Sequence, residues 1–179
     1  MLAWLVEKIT GMPFQDALTR EIWSRMGAEA DALILAPRYG VPNTHGGLMA
    51  KLRDVARFGL LYTPSHTIVS DEKIVSDRYI ELIRNGGNPA LLKMAKDAGW
   101  IDATVKHNVY QWDLVFLNND FYKGGWAGQG LLVNPDKDIV AGWTGYFKDD
   151  KQSEVSPLPV LRTVLNGVYG VEPQTPATK

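Results

Sequence analysis

The sequence predicts an α+β fold, from the order in which its apolar period changes along 179 residues. Apolar residues recur at helical spacing through residues 1–100, alternate at period two from Val109 to Tyr146, and return to helical spacing from Pro157. Helices followed by an antiparallel meander and one closing helix suit a layered α+β arrangement rather than a parallel α/β sheet. The expected organisation is a single partial domain over 1–170. It is mainly helical over 1–100, antiparallel over 101–148 and helical again over 153–170, with a disordered tail over 171–179.

Each element has a local cause. Leu2, Leu5, Val6 and Ile9 recur at helical spacing, and Gly11 stops the run before Pro13. Phe14, Leu18, Ile22 and Met26 form an i, i+4 stripe closed by Gly27, which predicts a second helix. Residues 28–47 carry Pro37, Gly40, Pro42, Gly46 and Gly47 and read as irregular. A third helix is expected over Leu48–Tyr62, with Met49, Leu52, Val55, Ala56 and Leu60 on one side. Ser76 can cap a fourth, carrying Tyr79, Ile80 and Ile83 and ending at Gly86-Gly87. A short helix is expected from Pro89 to Gly99. Strands over Val109–Leu117 and Asp120–Lys123 flank Asn118-Asn119, a two-residue hairpin signal. Strands over Leu131–Asn134 and Ile139–Tyr146 flank Pro135-Asp136, which suits a type I turn. Leu161, Val164, Leu165 and Val168 make Pro157–Tyr169 an amphipathic helix.

Composition narrows the function classes. Apolar residues make up 45% and charged residues 22% of the chain, as in ordinary globular proteins. A net charge of −1 gives no electrostatic case for nucleic acid or an anionic membrane. No apolar run approaches the roughly 20 residues that span a bilayer. The absence of cysteine excludes disulfides and thiolate chemistry and leaves the compartment open. His45, His66 and His107 make no i, i+4 metal pair and read as loop or surface residues, and no cofactor is implied. Ser70-Asp-Glu-Lys73 matches S-x-x-K by spacing. Its polar surroundings and two intervening acids are not the buried, preorganised turn that a Ser–Lys pair needs, so a solvated loop is expected there.

The run Lys123–Gly130, KGGWAGQG, is the candidate wall of a site. Glycines weaken a strand unless something approaches the backbone closely, and exposed N–H groups there can face a developing oxyanion. A bulged or tightly packed strand beside Trp126 accounts for the same glycines equally well.

Three segments resemble serine hydrolases of the class C β-lactamase and penicillin-binding-protein type, which include related esterases and amide hydrolases. LAWLVEKITGMPFQDALTREIWSRMG is similar to the helical stretch after that family's Tyr-x-Asn motif, and GGLMAKLRDVARFGLLY to its Gly-Gly segment and helix. KGGWAGQGLLVNPDKDIVAGWTG is similar to its third-motif strand and the following hairpin. The resemblance implies that Lys123, Gly124 and Gly125 stand for the Lys-Thr-Gly-like triplet on the substrate side, with the Trp126 amide as oxyanion donor. It also implies that the S-x-x-K serine and the Tyr-x-Asn tyrosine lie upstream of Leu2. No tyrosine here is followed two residues later by Asn. Gly124 replaces the usual Thr or Ser, which favours ester or amide substrates over β-lactams, and Lys51 stands where a Ser or Thr cap is common.

The resemblance therefore implies a C-terminal part of a β-lactamase-like hydrolase whose complete parent acts on a small-molecule or peptide-like acyl substrate, inactive by itself. The alternatives are a non-catalytic binding module and a split half that needs an N-terminal partner. Truncation would leave an unpaired strand edge and apolar surface, so self-association through the edge or through the first helices is expected.

Overall fold

The computed structural model describes residues 1–151 and 154–170. The expected disordered tail, 171–179, lies outside them. Helix α1 spans Leu2–Thr10 and ends at Gly11, whose φ of 70° closes the turn. Helix α2 spans Phe14–Leu18 and continues as a π-helical segment, Thr19–Trp23, in place of one regular helix. The stripe still works: Met26 is fully buried and Gly27 turns the chain at φ 62°.

The expected helix over Leu48–Tyr62 is corrected at its start. Leu48–Met49 is strand β2, paired antiparallel to strand β1, Leu33–Ile34. Helix α3 begins at Leu52, after Lys51 in extended geometry without a side-chain cap, and ends at Leu60. Residues 28–47 are thus not wholly irregular; the Leu33–Met49 pairing, twelve or more residues apart, has no local signal. Helix α4 spans Asp77–Asn85, and Ser76 caps it by accepting from the Tyr79 amide at 3.2 Å. The Pro89–Gly99 segment divides into a 3₁₀ turn, Pro89–Leu92, and helix α5, Lys93–Asp97.

Five strands follow in a fully antiparallel sheet of order β3-β4-β5-β6-β7. They span Val105–Val109, Trp112–Phe116, Phe121–Gly124, Gly130–Asn134 and Ile139–Trp143. The expected strand Val109–Leu117 is therefore two strands, split by a turn at Tyr110-Gln111 with φ values of 48° and 68°. That turn needs two left-handed residues and has neither Gly nor Asn to announce it. Replacing Gln111 by Gly should raise unfolding stability by about 0.5–1 kcal/mol, the left-handed cost less the extra unfolded freedom of glycine. A denaturant titration checks this; no gain would mean that Gln111 contributes more through its side chain than its backbone costs. The β6–β7 connection matches expectation better, and the Asn134 carboxamide stabilises it by accepting from the Asp136 and Lys137 amides.

Alternation along β6 sets the layers. Leu131 and Val133 face a core with Met26, Leu61, Tyr62, Ile83, Trp112 and Phe121. Leu132 faces the other side with Val105, Phe116 and Leu158. Helix α3 covers the first face so closely that a Cβ on Gly59 would lie 2.6 Å from Val140. Helix α6, Leu158–Tyr169, covers the second face and ends at Gly170, φ 66°. The fold is α+β, a helical region followed by an antiparallel meander and a closing helix. It places the Lys123–Gly130 run at one end of the sheet, as the connection between β5 and β6 rather than at a strand start.

Candidate functional site

The run begins where β5 ends. Gly124 pairs with Gly130 across the β5–β6 hairpin, and Trp126–Gly128 makes one 3₁₀ turn between them. Ala127 and Gly128 both adopt left-handed geometry, at φ 62° and 76°. The Tyr122 ring stacks on Trp143 at 5.9 Å with a 9° interplanar angle. This aromatic pair lies against the glycines. A Cβ on Gly130 would sit 2.5 Å from the Trp143 ring, and one on Gly124 would sit 2.7 Å from the Tyr122 hydroxyl. A Cβ on Gly128 would come within 2.3 Å of the Val155 carbonyl oxygen. Close packing therefore explains these three glycines. It also explains why the residue after Lys123 is not Thr or Ser: the Tyr122 hydroxyl fills the space its side chain would need. Burial pushes the Tyr122 phenol up, as do the Asp113 and Glu154 carboxylates, against an opposing hydrogen bond with Ser156. The wall is faced by a protonated phenol rather than an aliphatic hydroxyl.

The amides of the run are sharply differentiated. Gly124 N–H donates to the Asp113 carboxylate at 2.7 Å. Gly125 N–H donates to the Gln129 carbonyl at 2.9 Å, and Ala127 N–H to the Glu154 carboxylate at 2.9 Å. The Trp126 N–H, between them, has no acceptor among the described residues. The Trp126 ring is 70% exposed and packs edge-on against Phe147, with centroids 4.8 Å apart. Lys123 is not a free cation, because its Nζ lies 2.8 and 2.9 Å from the two Asp113 oxygens. Asp113 thus holds both the side chain of Lys123 and the backbone of Gly124.

Asp113 and Glu154 have no motif to mark them. Asp113 reaches Lys123 because the β4–β5 register places Leu114 opposite Tyr122, so the preceding residue meets the following one. That register depends on the Asn118-Asn119 turn, and with the turn in hand the pair could have been read. Glu154 arrives from the segment before α6 through a bridge with Phe147, which no local pattern predicts.

The other sequence candidates lie elsewhere. His45 is exposed in the loop before β2, and His66 is half-buried in the 3₁₀ turn Pro64–Ile68. His107 is a correction: it is buried in β3, with Nε2 2.9 Å from the Arg84 carbonyl oxygen, and ties that strand to the end of α4. Ser70 and Lys73 do not form a reactive pair. The Ser70 hydroxyl accepts from the Glu72 amide in a turn, while Lys73 Nζ binds Asp77 at 2.5 Å. Among the described residues no group of three His, Asp or Glu side chains could hold a metal ion, and no helix is long and apolar enough to cross a membrane.

Comparison with known proteins agrees with the motifs. No family model matches the chain. It is 28% identical over 142 residues to a 6-aminohexanoate-dimer hydrolase of Paenarthrobacter ureafaciens, a match over 78% of this chain and 35% of that protein. Its fold matches the solved structure of a Bacillus anthracis protein assigned as a 6-aminohexanoate-dimer hydrolase, with a TM-score of 0.66 at 23% identity. That match covers 94% of this chain and 40% of the other. The chain spans between a third and two fifths of the length of these proteins. The resemblance to β-lactamase-like serine hydrolases read from its motifs is borne out by the sequence likeness, and the solved structure agrees with it in fold.

Proposed function

We propose that this chain, similar in sequence and fold to part of the β-lactamase-like hydrolases, forms the oxyanion side of an ester- or amide-hydrolysing site. It corresponds on this reading to the C-terminal part of such an enzyme, folded as one partial domain over 1–170. The observation that supports the reading is the Trp126 N–H, which has no acceptor among the described residues and is held between three amides that do. A serine attacking an acyl carbon generates a tetrahedral oxyanion, and a fixed donor that meets it without first breaking another hydrogen bond lowers the barrier. Gly124 and Gly125 leave room for the Tyr122 hydroxyl and the Gln129 side chain packed beside them, and the Lys123–Asp113 pair holds the strand end in place. The missing hydroxyl at Gly124 supports a linear ester or amide over a β-lactam, and the hydrolase names of the relatives agree with that class.

On this reading the nucleophilic serine, its lysine and the proton-transferring tyrosine come from sequence other than residues 1–179, and the chain alone is inactive. A fluorophosphonate probe tests it. The purified chain should remain unlabelled, and labelling should appear on a serine of an upstream S-x-x-K-bearing segment when that segment is present. Specific labelling of any serine of the 179-residue chain by itself would overturn the assignment.

A further inference from the structure

The charges around the Lys123–Gly130 run do not balance. Lys123 is the run's one charged side chain, and its Nζ is taken up by both oxygens of Asp113, at 2.8 and 2.9 Å. Asp113 Oδ2 also accepts from the Gly124 N–H. On the other side of Trp126, Glu154 Oε1 accepts from the Ala127 N–H at 2.9 Å. Among the described residues no cation pairs with Glu154, and its Oε2 has no partner. Both carboxylates lie at the surface: the Asp113 side chain is 42% exposed, and Glu154 is exposed. One ammonium thus stands against two carboxylates, which bracket the Trp126 amide.

Tyr122 registers both negative charges. Its phenol is pushed up by burial, against a hydrogen bond with Ser156, and further by Asp113 and Glu154. The exposed Trp126 ring adds a π surface that attracts cations rather than anions. An oxyanion is itself negative, so an uncompensated carboxylate beside its donor opposes it. A substrate that brings a positive charge to Glu154 removes that opposition. A substrate that brings a carboxylate worsens it, and finds the Lys123 ammonium already occupied.

We propose that Asp113 and Glu154 determine specificity at this site, admitting esters and amides whose acyl chain is uncharged or ends in an ammonium group and rejecting those whose acyl chain ends in a carboxylate. The inference rests on the oxyanion-side reading above and adds the charge of the substrate to it. Asp113 acts by occupation, because it holds the ammonium that a substrate carboxylate would otherwise meet. Glu154 acts by its own charge, with one oxygen on the Ala127 amide and the other left for a substrate ammonium.

Three amides of matched length test this on the chain itself: neutral butyramide, cationic β-alaninamide and anionic succinamate. Binding is read from the NMR shift of the Trp126 amide in isotope-labelled chain. β-Alaninamide should bind tightest and succinamate weakest, with about fivefold for each unit of charge, the scale of an exposed ion pair. Molar salt should flatten that order. Asp113→Asn should strengthen succinamate by about fivefold, and adding Lys123→Met should remove the gain. Glu154→Gln, which can still accept from the Ala127 amide, should remove the advantage of β-alaninamide. If Asp113→Asn weakens all three amides together, Asp113 only holds the strand end and the proposal is overturned. Equal binding of the three by the unmodified chain, or tighter binding of succinamate, also overturns it, while the hydrolase reading stands or falls on the fluorophosphonate result. A Trp126 amide that responds to none of them removes the site and this proposal with it. If Asp113→Asn does not fold, the order in the unmodified chain decides.

Discussion

Replacing Arg162 by alanine is expected to destabilise the fold by about 3–5 kcal/mol, the range for removing one partner of a buried ion pair. Arg162 is 7% exposed and Asp120 6%. Its Nε donates to Asp120 at 3.0 Å, its Nη1 to Asp102 and Thr104 at 3.1 and 3.3 Å, and its guanidinium carbon lies 3.5 Å from the Phe116 ring centroid. One side chain thus fastens α6 to the starts of β3 and β5 and to the face of β4. Without it, Asp120 retains, among the described residues, only the carboxamide donors Asn118 and Asn134. Arg162→Lys should recover only part of the loss, because an ammonium cannot reach both carboxylates and stack on Phe116. The double variant Arg162→Met with Asp120→Asn should lose less than Arg162→Ala alone, since it leaves no orphaned charge. Urea unfolding of the three variants measures this; a loss below about 1 kcal/mol for Arg162→Ala would show the pair to be dispensable.

The same network gives the acid limb of stability a direction. Burial works to raise the Asp102 carboxyl, but hydrogen bonds from Thr104 and the Arg162 guanidinium outweigh it and hold it below the usual range. The Asp138 carboxyl is also held low, chiefly by the Ser65 hydroxyl that ties the turn after β6 to the loop after α3. Groups with depressed folded values stabilise fully above the unfolded aspartate value of about 3.9. That contribution disappears as pH falls through their lower folded values.

Local chemistry made much of the fold legible before any coordinates. Ser76 announced α4, Gly11 and Gly27 announced two stops, and Asn119 at φ 63° fulfilled the hairpin signal. What escaped was non-local or carried by unexpected residue types. Tyr110-Gln111 turns without glycine, and Leu33 finds Met49 across a long loop. Arg162 sits among apolar neighbours on the inner side of a helix that reads as simply amphipathic. At the site, the glycines drew attention to the Lys123–Gly130 run. Spacing alone left a packed strand and a binding edge level. The structure shows packing at Gly124, Gly128 and Gly130, imposed by an aromatic pair and a distant carbonyl. Among the described residues it leaves the amide of Trp126, unlike those of Gly124, Gly125 and Ala127, without an acceptor.

That distinction predicts that Trp126→Pro and Trp126→Ala separate the backbone from the ring. Proline suits the position: Gly125 before it is extended, at φ −145° and ψ 176°, as residues before proline prefer. Residue 126 also opens a 3₁₀ turn, where a missing N–H breaks no internal bond. Since that N–H has no acceptor within the described residues, Trp126→Pro should leave unfolding stability nearly unchanged. On the proposed reading, in an enzyme completed by a serine-bearing segment, it should lower kcat by about 10²–10³, the usual effect of deleting one oxyanion donor. Trp126→Ala keeps the donor and loses the edge contact with Phe147, so its larger effect should fall on KM. Because the oxyanion exists only as the acyl carbon is attacked, a donor aimed at it must act on kcat more than on ground-state binding. If both substitutions lowered kcat equally, the ring rather than the amide would be the working part, and the oxyanion assignment of Trp126 would fail.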